Sequence, residues 1–308
     1  MKWKCAVILG PTCCWKSEIA LKLAKEKHGE IISCDSMQIY RELSIGTAKP
    51  SARELQCCPH HLVDCLSISE PYDVNRFVQA AKECLTHLAV QKKMAVMVGG
   101  TGLYARALIY GLSLLPANAM VAQTLQKELD QPGGLTHLQI WLQQTVKNPD
   151  AIPPDVLLNS RRLLRACEVV RLIGKPPWEC LEKNQIPAPD FVQFCLLPPF
   201  DLLKERIRKR TAKMLAAGWV EEALQAEKLG LLHTPTARQA LGYREIITFV
   251  KKGAPGGIAT LQELLANKTI QYARRQMTWF KHQHPGAFLL TINSVEDAEK
   301  QIQQILVK

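Results

Sequence analysis

The sequence lacks the features that would place a protein in a membrane or outside the cell. Its 308 residues contain no apolar run long enough to span a bilayer, no internal repeat and no low-complexity segment. Met1 to Lys4 lead directly into a short apolar run, so we expect no signal peptide. Eleven cysteines are present, and we expect them to be free thiols in the reducing cytoplasm.

Acidic residues are also in short supply. The chain has 28 Asp and Glu against 39 Lys and Arg, which gives a net charge of +11. This balance favours a polyanionic partner such as nucleic acid, although a basic enzyme without such a partner has a similar composition. With 47% hydrophobic and 22% charged residues, the chain is typical of a globular protein with one large or two modest domains.

A glycine is missing from what otherwise resembles a phosphate-binding loop. The apolar run 5–9 is followed by a loop and a helix-like segment, which is the context of a P-loop. The residues of the loop are Gly10, Pro11, Thr12, Cys13, Cys14, Trp15, Lys16 and Ser17. The P-loop pattern has glycine before the lysine, where this chain has Trp15, and a bulky residue is costly if φ must be positive there. On these residues alone, a chance match at a strand–helix turn stays open.

If the loop is a P-loop, each part has a physical role. Backbone N–H groups and the helix N-terminus would hold phosphate oxygens. Lys16 would add a positive charge, and the Ser17 hydroxyl would reach Mg²⁺.

Two further strand ends carry polar residues that should converge on this loop. The run 30–34 reads as a strand that ends at Asp35, and the run 94–98 reads as a buried strand followed by Gly99-Gly100-Thr101-Gly102. In an open parallel sheet, ligands bind beyond the carboxyl ends of the strands. We therefore expect Asp35 and Thr101 in one cleft, with close backbone approach to a ligand at the glycines. Helix capping is the alternative role for both residues.

The remainder divides into a helical segment and a return to the sheet. Residues 111–190 show no strand-like run and read as a helical insertion between 1–110 and 191–308, the two parts of the main domain. The clearest helix of the insertion runs from Asn159 to Ile173. Arginines on one of its faces would suit a phosphate backbone, although a solvated face is the usual outcome.

The second part of the main domain is rich in basic residues. Strands are expected at 192–197 and 287–292, with Asp201 capping the helix after the first of them. Arg210 lies in that helix within a dense basic run, which we expect to reach the bound phosphates. Residues 261–283 read as a long helix that interleaves basic and aromatic residues. This pattern suits RNA binding, and the alternative is an aromatic stripe that packs in the core between charged residues.

The segment Cys57-Cys58-Pro59-His60-His61 with Cys65 suggests a zinc site. Its spacing matches none of the usual paired-ligand patterns, so we interpret the histidines as structural.

Seven motifs occur in an order that resembles one known family. They are Asp-Ser-x-Gln-x-Tyr, Gly-Thr-Ala-Lys-Pro, Pro-His-His-Leu, Gly-Gly-Thr-Gly-Leu-Tyr, Arg-Arg-x-x-Arg-Ala, Ala-Leu-Gly-Tyr-Arg-Glu and Arg-Gln-x-Thr-Trp-Phe. Over essentially its whole length the chain resembles the tRNA dimethylallyltransferases. The resemblance implies an α/β fold with a P-loop NTPase-like core, a central parallel sheet flanked by helices, and a helical insertion domain.

The resemblance also implies a reaction and its partners. A dimethylallyl group would pass from dimethylallyl diphosphate to N6 of adenosine 37 in the tRNA anticodon stem-loop, with Mg²⁺ as cofactor and no membrane involved. We expect a monomer. Asp35 would be the general base and Thr101 would orient the reactants. Lys16, Ser17, the rest of the loop and Arg210 would bind diphosphate.

The positions that match the family's tRNA-contacting segments form three groups. They are Asp35, Ser36, Met37, Gln38 and Thr101; Arg161, Arg162, Leu163, Leu164 and Arg165; and Gln239, Ala240, Leu241, Gly242, Tyr243 and Arg244.

Trp15 is the main departure from the family pattern, which reads Gly-Pro-Thr-Ala-Ser-Gly-Lys at the loop. A second departure is Ile152-Pro153-Pro154-Asp155 in the insertion. Three other hypotheses stay open: a tRNA-binding homologue that Trp15 has impaired, a P-loop kinase of small metabolites, and prenylation of free adenine nucleotides.

Overall fold

The computed structural model describes residues 5–111, 115–180 and 190–306. The chain divides into two compact units, the first made of Met1–Tyr110 with Ile186–Lys308 and the second of Gly111–Gln185. The sequence placed the end of the insertion at residue 190, and the structural division ends it at Gln185.

The first unit is built on one sheet, which contains six strands in the described part of the chain. The strands are β1 Cys5–Leu9, β2 Glu30–Ser33, β3 His60–His61, β4 Ala95–Gly99, β5 Phe191–Leu196 and β6 Ala287–Leu290. Every pairing is parallel, in the order β3-β2-β4-β1-β5-β6. The central strands read as continuous apolar runs because both faces of a parallel sheet are covered by helices.

The helices alternate with these strands and also make up the second unit. In chain order they are α1 Lys16–Glu26, α2 Ala52–Cys57, α3 Val74–Val90, α4 Gly102–Tyr110, α5 Ala119–Leu129, α6 Gly134–Thr145, α7 Pro154–Leu158, α8 Ser160–Ile173, α9 Pro177–Cys180, α10 Phe200–Ala216, α11 Trp219–Lys228, α12 Tyr243–Lys251, α13 Gly257–Gln283 and α14 Val295–Leu306. Short 3-10 turns lie at Pro149–Ala151 and Ala237–Gln239.

Alternate residues of β1 enter two different apolar cores. Val7 and Leu9 belong to the core that includes Phe77 of α3 and Tyr104 of α4. Ala6 and Ile8 belong to the core on the other face, which includes residues of α1, α10 and α14. The sheet is therefore covered on both sides, as predicted for an α/β protein of this class.

The register of the sheet places three loops at one edge. Leu9 pairs with Gly99 of β4 and with Cys195 of β5, and Ser33 of β2 pairs with Val98. The loops that follow β1, β2 and β4 therefore start at the same level, which is where ligands bind in open α/β sheets.

Most predicted elements are confirmed, with local differences. The strands expected at 30–34, 94–98, 192–197 and 287–292 and the helices expected at 159–173 and 261–283 are present within a few residues. The helices α2 and α11 and the short strand β3 were not predicted.

One predicted cap is wrong. The helix α10 starts at Phe200 after Pro199, so Asp201 lies inside the first turn, where it forms an ion pair with Lys204. An acidic residue in the first turn still interacts favourably with the helix dipole.

The secondary structure in the described residues of the second unit is all helical, and the unit has its own apolar core, which includes Leu125, Leu138 and Leu163. Its buried carboxylate, Glu168, pairs with Arg165 at 2.6 Å and accepts a hydrogen bond from the backbone N–H of Asn118 at 2.8 Å. Arg165 also donates to the carbonyl oxygens of Leu115 and Pro116. These bonds attach residues 115–118, which precede α5, to helix α8.

The Cys-His segment makes contacts of its own. His61 lies 2.7 Å from the buried Glu30, which also pairs with Lys93. His60 Nδ1 lies 2.7 Å from the carbonyl oxygen of Cys58. Each of the eleven cysteines lies in the described part of the chain as a free thiol. Among the described residues, no helix is both long and apolar enough to cross a membrane.

Candidate active site

The first loop of the site, residues 10–17, connects β1 to α1. Gly10 has φ of 151°, and a Cβ there would lie 2.6 Å from the carbonyl oxygen of Leu196 and 2.7 Å from Cys14 Sγ. Both the backbone conformation and the lack of space therefore require glycine at this position. This close approach brings the loop against the end of β5.

Trp15 occupies the N-cap position of α1 in a left-handed conformation, with φ of 63°. An L-residue costs about 1–2 kcal/mol in that conformation, which glycine adopts freely. The indole is half-buried, and the Arg206 guanidinium stacks on it with Cζ 3.9 Å from the ring centroid. Arg206 Nε also donates to the carbonyl oxygen of Cys13 at 2.9 Å. The tryptophan therefore keeps the backbone conformation suited to glycine and adds a contact with α10.

Lys16 folds back over its own loop. Its Nζ donates to the carbonyl oxygen of Pro11 at 2.5 Å and lies 3.8 Å from Cys14 Sγ. Arg210 Nη2 donates to Thr12 Oγ1. Two cations from different helices thus bind the same loop, which places them where an anion on the loop would be.

The loop opens into a cavity of about 500 Å³, which we call the anion cavity. Cationic groups outnumber carboxylates on its wall. The cations are Lys16, Arg206, Lys209, Arg210 and Lys213, and the carboxylates are Glu18, Asp35 and Glu54. Together with the N–H groups at the start of α1, this excess of positive charge suits a multiply charged anion such as a diphosphate.

Asp35 lies at the end of β2 and faces this cavity. Its Oδ1 accepts hydrogen bonds from the backbone N–H groups of Met37 at 2.9 Å and Gln38 at 3.4 Å. Asp35 therefore caps a turn rather than a helix, the alternative that the sequence left open. Burial raises the pKa of the carboxyl above its usual value, while the two N–H groups, Lys16 and Arg210 act in the opposite direction. A carboxylate with a raised pKa is a better proton acceptor than an ordinary aspartate.

Thr101 connects the loops that follow β2 and β4. Its Oγ1 accepts a hydrogen bond from the backbone N–H of Ser36 at 3.1 Å, and its own N–H donates to the carbonyl oxygen of Cys34 at 3.3 Å. These bonds hold Thr101 next to Asp35. The structure thus places Asp35 and Thr101 in one cleft, as the sequence predicted.

The glycines beside Thr101 lie close to other parts of the protein. A Cβ would lie 1.9 Å from the carbonyl oxygen of Cys34 at Gly99, 2.6 Å from Gln276 Nε2 at Gly100 and 2.3 Å from the Trp279 ring at Gly102. Packing against β2 and α13 already fills the space. Gly99 and Gly100 also line the anion cavity, so the expectation of close backbone approach to a ligand stays a prediction.

Gln276 of α13 connects two of the loops and was not assigned a role from the sequence. Its side chain accepts a hydrogen bond from the backbone N–H of Thr12 at 2.9 Å and donates to the carbonyl oxygen of Gly100 at 2.8 Å. The residue is buried. It lies in the Arg-Gln-x-Thr-Trp-Phe motif, but no spacing rule indicates a side chain that bridges two loops more than 170 residues away.

A second cavity of about 320 Å³, the inner cavity, adjoins the first. Five residues line both cavities: Thr12, Asp35, Thr47, Arg210 and Tyr272. Burial, together with the nearby Asp35, raises the pKa of Tyr272 to about 12, so this phenol is protonated at neutral pH. Asp35 therefore lies at the boundary between the charged cavity and the inner one.

Many of the predicted tRNA-contacting residues line these cavities. Those lining the inner cavity are Asp35, Ser36, Met37, Thr101, Gln239, Ala240, Leu241 and Tyr243, and Gln38 lines the anion cavity. Arg161, Arg162, Leu164 and Arg165 lie on α8 of the second unit. Leu163 is a correction, because its side chain is fully buried in the core of that unit and is not available to a ligand.

The Mg²⁺ that the resemblance implies can be tested against the donor groups. Ser17 is exposed at the first turn of α1, and its hydroxyl lines the anion cavity with the carboxylates of Asp35 and Glu54. Oxygen donors of this kind suit Mg²⁺, which commonly takes one or two protein ligands and completes its shell with water and substrate phosphate. The described residues contain no group of three His, Cys, Asp or Glu side chains able to hold a metal. Binding of Mg²⁺ at this site would therefore require oxygen ligands from a bound diphosphate.

Comparisons with known proteins identify the family. A family profile described as IPP transferase matches residues 38–283. The tRNA dimethylallyltransferase of Deinococcus radiodurans is 36% identical, over 90% of this chain and 89% of that protein. That of Protochlamydia amoebophila is 35% identical, over 91% of this chain and 82% of that protein. The crystal structure of tRNA isopentenylpyrophosphate transferase from Bacillus halodurans is similar with a TM-score of 0.70 and 29% identity, over 99% of this chain and 96% of that chain. The chain therefore belongs to the IPP transferase family.

Proposed function

We propose that this protein transfers the dimethylallyl group of dimethylallyl diphosphate to N6 of adenosine 37 in tRNA and releases diphosphate. The observation that carries the proposal is the position of Asp35 at the boundary of the two cavities. A donor in the anion cavity and a base in the inner cavity would meet at this carboxylate.

The anion cavity would bind the diphosphate of the donor. Loop 10–17 offers backbone N–H groups, and Lys16 and Arg210 already lie against it. As the bond between the allylic carbon and oxygen breaks, its electron pair passes to the diphosphate, and these cations stabilise the developing charge. Mg²⁺ at Ser17 would supply further neutralisation of the leaving group.

The inner cavity would receive the adenine. The base has to leave its stack to reach a cavity inside the protein, at a cost of a few kcal/mol. N6 of adenine is a weak nucleophile because its lone pair is delocalised into the ring. Asp35 would accept the N6 proton as the new bond between nitrogen and carbon forms. Thr101, held next to Asp35 by Ser36, would help to orient the reactants.

The surface that receives the rest of the tRNA is proposed from the sequence resemblance. Segments 35–38 and 239–244 border the two cavities, and α8 of the second unit carries Arg161, Arg162 and Arg165. Of these, Arg162 pairs with Asp155 and Arg165 with Glu168. The prediction that the protein acts as a monomer in the cytoplasm stays a prediction.

The direct test is transfer in solution. Purified protein is incubated with dimethylallyl diphosphate, Mg²⁺ and an anticodon stem-loop, and the modified nucleoside is measured by mass spectrometry. We expect prenylated adenosine with the stem-loop and none with a stem-loop that carries guanosine at position 37. Product formed only from free adenine nucleotides would contradict the tRNA assignment.

The role of Asp35 is tested by Asp35→Asn. The amide keeps an oxygen that accepts from Met37 and Gln38, so the turn should be retained. Because the amide cannot take the N6 proton, we expect kcat to fall by about 10²–10⁴-fold. Binding of tRNA, followed by filter binding, should change little. An Asp35→Asn variant with wild-type kcat would exclude this residue as the base.

A further inference from the structure

A carboxylate outside both cavities fastens the loop that forms part of their walls. Glu222 of α11 accepts hydrogen bonds from three consecutive backbone N–H groups, those of Ser44 at 2.9 Å, Ile45 at 2.8 Å and Gly46 at 3.0 Å. Converging N–H groups of this kind form an anion-binding nest. Here the anion is a side chain of the same protein, 176 or more residues away along the sequence.

The same carboxylate also binds a second segment of the site. The hydroxyl of Tyr243 donates to Glu222 Oε1 at 2.5 Å. Tyr243 is buried, and burial together with Glu222 raises the pKa of its hydroxyl, which keeps it protonated as a donor. Glu222 thus joins residues 44–46 to the segment 239–244, and both border the inner cavity.

A chain of hydrogen bonds continues from residues 44–46 to Asp35. The residues that follow, Thr47 and Ala48, accept hydrogen bonds from Gln38 Nε2 through their carbonyl oxygens, each at 3.2 Å. The backbone N–H of Gln38 in turn donates to Asp35 Oδ1. Displacement of loop 44–49 would therefore reach the carboxylate that accepts the proton.

Loop 44–49 is fixed at both ends and tightly packed. At its far end Lys49 Nζ donates to the carbonyl oxygen of Tyr40 at 2.8 Å and pairs with Asp64. At its near end a Cβ on Gly46 would lie 2.1 Å from Trp219 Nε1 and 2.6 Å from the Tyr243 ring. The loop has little room to adjust if the bonds to Glu222 are lost.

We propose that Glu222 is a positioning residue for the transfer reaction, one that holds loop 44–49 and the segment 239–244 in the arrangement that places Asp35 at the acceptor base. The inference rests on the proposed function and adds to it a residue that does not touch substrate. Two residues that bond Glu222 directly, Gly46 and Tyr243, line the inner cavity and not the anion cavity. Loop 10–17 is held instead by Lys16, Arg206, Arg210 and Gln276.

The test compares Glu222→Gln and Glu222→Ala with the matched control Glu221→Gln, whose residue is the exposed neighbour on the same helix. Glu222→Gln keeps the side-chain shape but turns an NH₂ group toward N–H donors. For Glu222→Ala we expect kcat/KM for the stem-loop to fall by about 10–100-fold, where the upper figure is the loss that a displacement of about 1 Å can cause. Glu222→Gln should show an intermediate loss, and Glu221→Gln none.

Two measurements separate positioning from a general loss of structure. The KM for dimethylallyl diphosphate should stay near the wild-type value while kcat and the KM for the stem-loop change. The acid limb of the pH profile of kcat should also move to higher pH in Glu222→Gln. A displaced loop 44–49 would weaken the N–H bond from Gln38 to Asp35, which disfavours the charged form of that carboxyl. The titratable and charged groups that interact with Asp35 are unchanged in this variant; they are Lys16, Arg210, Tyr272, Tyr104 and Cys34.

Opposite results would overturn the inference. Wild-type kcat and stem-loop KM in Glu222→Ala would show that the carboxylate is dispensable. An equal rise in both KM values with an unmoved acid limb would assign Glu222 a structural role only. If the wild-type protein transfers no prenyl group, the proposed function fails first, whereas an active wild type with unaffected Glu222 variants removes this inference alone.

Discussion

The anion cavity and the inner cavity share Asp35 but differ in their chemistry. Eight charged side chains line the anion cavity, whereas Asp35, Arg210 and Arg275 are the charged residues among those lining the inner cavity. A diphosphate can be held by charge, which tolerates small displacements because it acts over several ångströms. A base has to be held by hydrogen bonds, which weaken steeply with distance and angle.

The two cavities also differ in how their walls are supported. The loop of the anion cavity is held by cations that would themselves contact the ligand, such as Lys16 and Arg210. The wall of the inner cavity is held from behind by residues such as Glu222. The comparison suggests that changes on the anion side alter donor binding, while changes behind the inner cavity alter the geometry of transfer.

Among the variants that test this comparison, the largest effect is expected from Lys16→Ala, which acts on the anion cavity. Loss of a cation that stabilises the leaving diphosphate should lower kcat by about 10²–10³-fold. The Kd for diphosphate, measured by calorimetry, should rise and lose part of its salt dependence. The Kd for the stem-loop should stay unchanged if the two cavities act separately. A parallel loss of stem-loop binding would contradict the view that the two cavities act separately.

The same variant should change the pH dependence of transfer. Lys16 favours the charged form of Asp35 and so lowers its pKa. Removing the cation therefore raises that pKa further, and activity should be lost at a higher pH as the medium is acidified. The pH profile of the residual kcat measures this shift. An unmoved acid limb would mean that Asp35 is not the group that titrates.

An intermediate effect is expected from Gln276→Met, which acts on both cavities. Methionine has a similar shape but leaves the N–H of Thr12 and the carbonyl of Gly100 without the bonds they make to Gln276. Each unsatisfied buried group costs about 1–3 kcal/mol, so we expect kcat/KM for both substrates to fall at least about tenfold. The exposed residue Gln271 on the same helix provides the control Gln271→Met. A change in one KM alone would assign Gln276 to one cavity.

The smallest effect is expected from Trp15→Gly. Glycine relieves about 1–2 kcal/mol of left-handed strain. Loss of the indole that stacks on Arg206 removes about 0.5–1 kcal/mol of stabilisation. The two terms differ by at most about 1.5 kcal/mol, so kcat/KM for dimethylallyl diphosphate should stay within about tenfold of wild type. An increase of several orders of magnitude would instead support the hypothesis that Trp15 impairs catalysis.

The fold and the family were predictable from the sequence because their signals are local and ordered. The buried parallel strands read as apolar runs, and seven motifs in order indicated the family, as the comparisons confirm. The short elements α2 and β3 were missed because six and two residues give too little periodicity to recognise. Leu163 was assigned to tRNA because it lies inside a motif, although its spacing on α8 points into the core.

The sequence by itself determined which chemical groups are present and which strand ends they follow, because alternation, apolar runs and turn residues are properties of neighbouring positions. Only the tertiary structure decided that the glycines beside Thr101 pack against protein, that Trp15 stacks on Arg206, and that Gln276 and Glu222 hold loops far away in the chain. Such bonds join residues separated by well over a hundred positions. Which donor meets which acceptor depends on how the helices pack on the sheet, and no local pattern records it.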